Sequence, residues 1–177
     1  RRACEHRAHS VRFHHASAVA LPFEAGRFTH ALCLEAAHHF DTREAWLREA
    51  YRVLAPGGRL AMADFAIVRP PRGPWQRATF GAVLAAWSVP RANAISPDLD
   101  AALLREIGFV DVELELVGDR TFPGYWREQR RLERRHEVRA IRGRLGALIG
   151  VGLNYGLNQL YEQGWAEYAL VAARKRA

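Results

Sequence analysis

The stretch Arg27–Phe65, RFTHALCLEAAHHFDTREAWLREAYRVLAPGGRLAMADF, decides the fold. Its first segment, Phe28–Leu34, is a short apolar run bounded by the turn-forming pair Ala25-Gly26 and reads as a buried parallel strand. Asp41 is the expected helix N-cap, with Glu44 three residues on to reach back to it. Leu47, Ala50, Tyr51 and Leu54 then recur at helical spacing. Pro56-Gly57-Gly58 stops the helix, and Arg59–Ala66 is a second strand carrying Asp64 near its end. Strands joined by a crossover helix lie parallel and adjacent, so their carboxyl ends open on the same side of the sheet. Glu35, His38, His39 and Asp64 therefore face one crevice, where open α/β sheets bind ligands.

The order of Leu21-Pro22-Phe23, Phe28-Thr29, His38-His39, Arg52-Val53-Leu54-Ala55-Pro56-Gly57-Gly58 and Ala63-Asp64-Phe65 resembles the class I S-adenosylmethionine-dependent methyltransferases. Within them it is similar to the small-molecule branch, which includes quinone C-methyltransferases and natural-product sugar O-methyltransferases. The resemblance implies an α/β, Rossmann-like sheet with an antiparallel last strand, S-adenosylmethionine as cofactor and a small-molecule acceptor. It also implies roles. Ser17 stands where the family commonly has Asp or Asn to meet the adenine amino group, with the amide of Ala18 beside it and Val19 next in the loop. Thr29 replaces an Asp at the strand start, a position that often supports the fold. Leu34, Glu35 and His39 are expected along the methionine side of the cofactor, and His38, His39 and Asp64 as the base system. Glu35 is also placed to orient an acceptor hydroxyl or amine.

Methyl transfer from a sulfonium is an in-line displacement in which much of the rate comes from positioning. A hydroxyl acceptor must also lose its proton, and an imidazole, titrating near ~6.5, is suited to remove it. Asp64 is placed to fix that imidazole's tautomer. Which of His38 and His39 is the base is left open by two adjacent histidines. His14, His15, His38, His39 and Cys33 together suggest a metal site only weakly: His14 and His15 alternate across a strand, and no Cys or His pair has zinc spacing. No metal is expected.

The rest of the chain is read outward from this unit. Residues 1–10 look like the end of a helix and Val11–His15 like a strand. Neither G-x-G-x-x-G nor G-x-G-x-G occurs, so the expectation is an N-terminally truncated sheet, a C-terminal piece that is inactive alone; a complete small protein with a reduced sheet is the alternative. Pro70, Pro71, Gly73 and Pro74 break regular structure before an apolar helix, Trp75–Trp87. By the resemblance this segment caps the acceptor pocket, which makes Trp75, Phe80 and Trp87 candidate substrate contacts. Ser96 caps a helix that has Pro97 in its first turn and ends at Gly108. Val110–Leu116 alternates as a half-exposed strand and Ala166–Ala173 is the last strand. Between those two strands, Gly118–Trp165 is a long insertion holding Tyr125 and Trp126, further candidate substrate contacts, together with Tyr155 and a Gly-rich apolar piece from Leu145. It is expected as a pocket lid or as an interface, with a homodimer through it as one outcome. The working division is 1–68 for cofactor and catalysis, 69–96 for the cap, 97–117 for a helix and strand, 118–164 for the insertion and 165–177 for the last strand.

At 177 residues and 49% hydrophobic, the chain has the size and composition of one globular domain. No run is of membrane-spanning length and no secretion signal opens it, so a cytoplasmic protein is expected, with Cys33 a small core residue. The net charge of +7 is concentrated in the arginines between Arg127 and Arg144. No aromatic residues interleave with them, so a solvated helix face is favoured over nucleic-acid binding. The function expected is methylation of a small, partly apolar metabolite, O-methylation with a His/Asp base. The rivals are C-methylation of a quinone or lipid-like ring, and a non-catalytic module binding anionic surfaces through the arginine-rich helix.

Overall fold

The structure, a computed structural model, describes residues 11–129, 140, 143, 150 and 152–177. In chain order these form β1 (Phe28–Leu34), a short 3-10 turn (Ala37–His39), α1 (Arg43–Val53), β2 (Leu54–Ile67), α2 (Pro74–Ala86), a second 3-10 turn (Arg91–Asn93), α3 (Pro97–Ile107), β3 (Phe109–Leu116), α4 (Gly118–Gln129), α5 (152–162) and β4 (Ala166–Lys175). The sheet order is β1-β2-β4-β3. β1 and β2 are parallel, and β4 runs antiparallel to both β2 and β3. The crossover unit and the antiparallel end of the sheet have the expected topology, but β1 is not the buried strand expected: only Cys33 is buried, while Leu32 and Leu34 stand exposed on a face that no described element covers. No helix among the described residues is long and apolar enough to cross a membrane.

α1 buries Trp46, Leu47, Ala50 and Val53, one stripe of a helix with charged residues on the other side. That stripe packs with Leu104 of α3 onto Leu60, Met62, Ala169, Val171 and Ala173 of the sheet. Burying each large side chain contributes on the order of 1.5–3 kcal/mol. Cys33 belongs to this core, and burial pushes its thiol up to about 11. A second cluster lies at the far end of β2, where Phe65 and Ile67 pack with Leu84 of α2, Phe122 of α4, Leu160 of α5 and Trp165. The chain at Asp64–Ile67 is thus buried on both sides, with Asp64 toward α1 and Phe65 toward the insertion helices.

Three further expectations are corrected. The cap of α1 is Thr42 and not Asp41: its hydroxyl accepts from the Ala45 amide at 3.2 Å. Asn93 sets this start, because its side chain donates to the Phe40 carbonyl at 2.6 Å and accepts from the Arg43 amide at 2.7 Å. β2 begins at Leu54 rather than Arg59. Leu54 already pairs with Phe28 and the ladder resumes at His30↔Arg59, so Ala55-Pro56-Gly57-Gly58 bulges out of the strand. Gly58 fits there because a Cβ would lie 2.8 Å from the Ala55 carbonyl oxygen. Finally, Val11–His15 is exposed and without regular structure. A strand needs a neighbour to satisfy its backbone, and among the described residues β1 pairs only with β2. The segment is tied down by side chains instead: His14 stands edge-on to Phe23, which stands edge-on to Phe28. The supposed helix end at residues 1–10, the arginines from Arg130 to Arg144 and most of the Gly-rich piece lie outside the described residues.

Gly108 closes α3 at φ 113, where only glycine is comfortable. A Cβ there would also meet the Tyr51 hydroxyl at 2.9 Å, and Tyr51 is held between Phe109 and the Lys175 ammonium. Gly108→Ala is expected to destabilise the protein by about 1–3 kcal/mol, read as a lower urea midpoint at unchanged slope.

Candidate active site

Asp64 sits near the end of β2, 1% exposed, and its carboxylate accepts four hydrogen bonds. The ring Nδ1 of His38 and the Phe65 amide (2.8 Å) donate to Oδ1, while the His38 amide (3.0 Å) and Arg43 (3.2 Å) donate to Oδ2. Burial alone would raise this carboxyl. The His38 bond, the Arg43 charge and the Phe65 amide outweigh it and hold Asp64 below the usual carboxylate range. Since an ionised carboxylate only accepts, His38 carries its proton on Nδ1, which leaves Nε2 as the basic atom of the ring.

Arg43, 2% exposed at the first position of α1, also donates to the Phe65 carbonyl (3.1 Å) and to Asp100 (2.8 Å). Asp100 is held less well than Asp64. Burial pushes its carboxyl up, Arg43 pulls it back, and the Asp64 charge adds to the rise. The two aspartates share one cation, and His38 and the backbone amides tip the balance toward Asp64. His39 is exposed beside His38, with ring centroids 3.9 Å apart, and its Nδ1–H donates to the Ser88 carbonyl at 3.2 Å.

Both histidines line a cavity of about 150 Å³. Glu35 and Tyr168 lie on its polar side, and Phe65, Val83, Leu84, Trp87, Val89, Phe122, Leu157 and Leu160 form apolar walls, with Thr121 and Tyr125 completing it. Of the candidates read from sequence, the structure brings together Glu35, His38, His39, Trp87 and Tyr125 at the cavity, with Asp64 directly behind His38. It does not bring Trp75 there, which is 85% exposed at the start of α2. Phe80 packs on Trp165 in the second core, and Trp126 meets the Tyr155 ring. Leu34 lies on the other side of its strand, along a shallow groove over the sheet with Leu32, Ala61, Ala63 and Leu170. Sequence reading missed Arg43, Asn93, Asp100, Ser88 and Tyr168. Only Tyr168, an aromatic early in a predicted strand, carried a signal. A charged residue at a helix start and an Asn after a proline look like surface and turn. Among the described residues no group of three His, Cys, Asp or Glu side chains could hold a metal ion.

A methyltransferase-domain family profile matches residues 1–62. The chain is 35% identical over 123 residues to an erythromycin 3''-O-methyltransferase of Saccharopolyspora erythraea, an alignment covering 66% of this chain and 40% of the relative. It is 45% identical over 73 residues to a demethylmenaquinone methyltransferase of Thermus thermophilus, covering 41% and 32%. In fold it matches a Haemonchus contortus phosphoethanolamine N-methyltransferase in complex with S-adenosylmethionine, with a TM-score of 0.75 at 18% identity over 91% of this chain and 36% of that one. In sequence and in fold the chain is similar to the class I S-adenosylmethionine-dependent methyltransferases. It spans less than half the length of these relatives.

The residues present fit one flank of the methyltransferase cofactor. Ser17–Ala20 forms a tight turn, closed by Ala20 N–H to the Ser17 carbonyl at 3.1 Å. The turn is followed by Leu21, which Glu49 and Arg52 of α1 hold at its amide (2.7 Å) and carbonyl (3.2 Å). The Ser17 hydroxyl turns inward to accept from the Val19 amide at 3.3 Å, so it has less to offer an adenine amino group than the family's Asp. The Ala18 amide makes no hydrogen bond among the described residues and suits a ring-nitrogen acceptor. These three residues lie outside the cavity lining.

Proposed function

We propose that this protein methylates a hydroxyl on a small, partly apolar metabolite, with His38 as general base. The observation that carries the reading is the bond from His38 Nδ1 to a buried, fully hydrogen-bonded Asp64 at the wall of a partly open cavity. S-adenosylmethionine, when bound, supplies the electrophilic methyl group. Ala18 and the Ser17 turn would hold its adenine, and the backbone at Leu34 and Glu35 its methionine end. His38 Nε2 takes the proton from the acceptor hydroxyl, and Asp64 stays ionised and stabilises the imidazolium that forms. His39, tied to Ser88, orients the acceptor and screens His38 from water. α2 is the cap, through Val83, Leu84 and Trp87, and the insertion acts as a lid through α4 and α5. The Trp87 indole joins the two by donating to the Leu153 carbonyl at 3.2 Å. A cytoplasmic location belongs to the same proposal, supported by Cys33 as a buried free thiol.

A second reading, methylation of a quinone ring, draws on the likeness to the demethylmenaquinone methyltransferase and on the apolar walls. Here the histidines would only position the ring. The test uses protein expressed from the complete reading frame, isotopically labelled cofactor and a panel of hydroxylated and quinol acceptors. A new methoxy resonance in the product supports base-assisted O-methylation, and a ring-methyl resonance favours the second reading. Absence of any labelled product would count against both.

A further inference from the structure

The hydrogens of the cavity's polar side chains are all spent inside the protein. His38 Nδ1–H goes to Asp64 and His39 Nδ1–H to the Ser88 carbonyl. The Trp87 indole goes to the Leu153 carbonyl, the Thr121 hydroxyl to the Val117 carbonyl at 3.0 Å and the Tyr125 hydroxyl to Asn154 at 2.7 Å. The Tyr168 hydroxyl goes to Glu35 Oε1 at 2.9 Å. What these groups still offer a ligand is lone pairs: Nε2 of two imidazoles, three hydroxyl oxygens, and a carboxylate with only one oxygen engaged. Among the described lining residues there is no lysine or arginine; Arg43 is buried behind Asp64 and already paired.

Glu35 is set in place rather than trailing into solvent. It stands at φ 48, a left-handed conformation costing a non-glycine residue roughly 1–2 kcal/mol. Its amide continues the ladder to the Ala63 carbonyl at 2.9 Å, which turns the side chain out of the strand toward Tyr168. Strain of this kind persists where the surroundings over-determine it, and it clusters at functional sites.

A ligand entering such a site must bring its own donors. A carboxylate or phosphate brings none, and would set its charge near Glu35 with no cation among the described lining residues to meet it. Each polar group that a ligand covers and leaves unpaired costs about 1–3 kcal/mol. We propose that the acceptor is a vicinal diol or amino alcohol, neutral or cationic: one hydroxyl lies on His38 and is methylated, the neighbouring donor is read by Glu35, and anionic acceptors are rejected. This assignment of acceptor class rests on the O-methylation reading above.

The experiment measures binding, so it does not depend on turnover. Protein from the complete reading frame, saturated with S-adenosylhomocysteine, is titrated with four probes small enough for the cavity: cyclohexane-1,2-diol, 2-aminocyclohexanol, 2-methoxycyclohexanol and 2-hydroxycyclohexanecarboxylate. Affinities are read by ligand-observed NMR for the wild type and for Glu35→Gln, an exposed position where the fold is not at risk. The diol and the amino alcohol are expected to bind at least about tenfold more tightly than the other two. Glu35→Gln, which adds donor hydrogens, is expected to erase that preference. Equal binding of all four, tighter binding of the carboxylate, no detectable binding of the diol, or an unchanged preference in Glu35→Gln would each overturn the proposal. The expected pattern in a protein that transfers no methyl group would leave the acceptor class standing and remove O-methylation. Methyl transfer without the pattern would do the reverse.

Discussion

Protein carrying Arg43→Met is expected to be about 3–5 kcal/mol less stable than wild type, the cost of breaking a buried ion pair by removing one partner. Arg43 makes contact with Asp64, Asp100 and the Phe65 carbonyl while 2% exposed, so its loss strands two buried carboxylates near each other. Methionine fills similar space, so the effect comes from the charge. The pH dependence separates this from simple misfit. Asp64 titrates below its unfolded value, so the stability it contributes is complete above the ordinary carboxylate range and is lost as pH falls through its folded value. Without Arg43 that folded value rises toward the unfolded one, so Asp64 contributes less stability and its acid-side loss becomes smaller and ends at higher pH. Asp100 has the opposite sign: its carboxyl is already raised, so in the fold it takes up a proton before the unfolded chain does, and it opposes folding above that point. Urea midpoints across the acid range, for wild type, Arg43→Met and Arg43→Met/Asp100→Asn, measure both. The double variant should recover part of the loss, because it removes the carboxylate that depends on Arg43 alone among the described side chains.

Asp64→Asn, in protein expressed from the complete reading frame, is expected to lower kcat about 10²–10⁴-fold with cofactor affinity unchanged, the usual span for a lost base. With its oxygen in the place of Oδ2, asparagine can still accept from the His38 amide and from Arg43, which keeps the turn in place. Its amide hydrogens, however, would donate to His38 Nδ1 and drive the ring proton to Nε2, the atom that must be free to receive one. The imidazolium would also lose its counter-charge. Turnover near wild type would show that proton removal is not rate-determining or that His38 is not the base. Near-UV circular dichroism checks that the fold survives.

The crossover unit was legible in sequence because it depends on local rules: a short apolar run, helical periodicity in Leu47, Ala50 and Tyr51, and a strand carrying Asp64 at its carboxyl end. Asp64 could be named for the same reason, since topology alone sends it to the rim. His38 and His39 could not be told apart, because what divides them is one residue of 3-10 geometry that points the His38 amide and ring together at Asp64. Trp87 and Trp75 looked equivalent at the two ends of one helix. Their fates differ because α5, distant in sequence, covers only the end with Trp87. Arg43 was hidden by its charge: an arginine in a first helical turn reads as solvated, and nothing local announces two aspartates from β2 and α3 closing over it. The Val11–His15 segment has the pattern of a strand, but pattern does not supply a partner.

The central claim is that His38, held by Asp64, is the base and that its neighbour is not. Side-by-side turnover of His38→Gln and His39→Gln, each with cofactor affinity measured by calorimetry, tests it most directly. The account predicts that His38→Gln loses about 10²–10⁴ in kcat while His39→Gln stays within about tenfold of wild type, both with cofactor binding intact. Turnover retained in His38→Gln and lost in His39→Gln would contradict it.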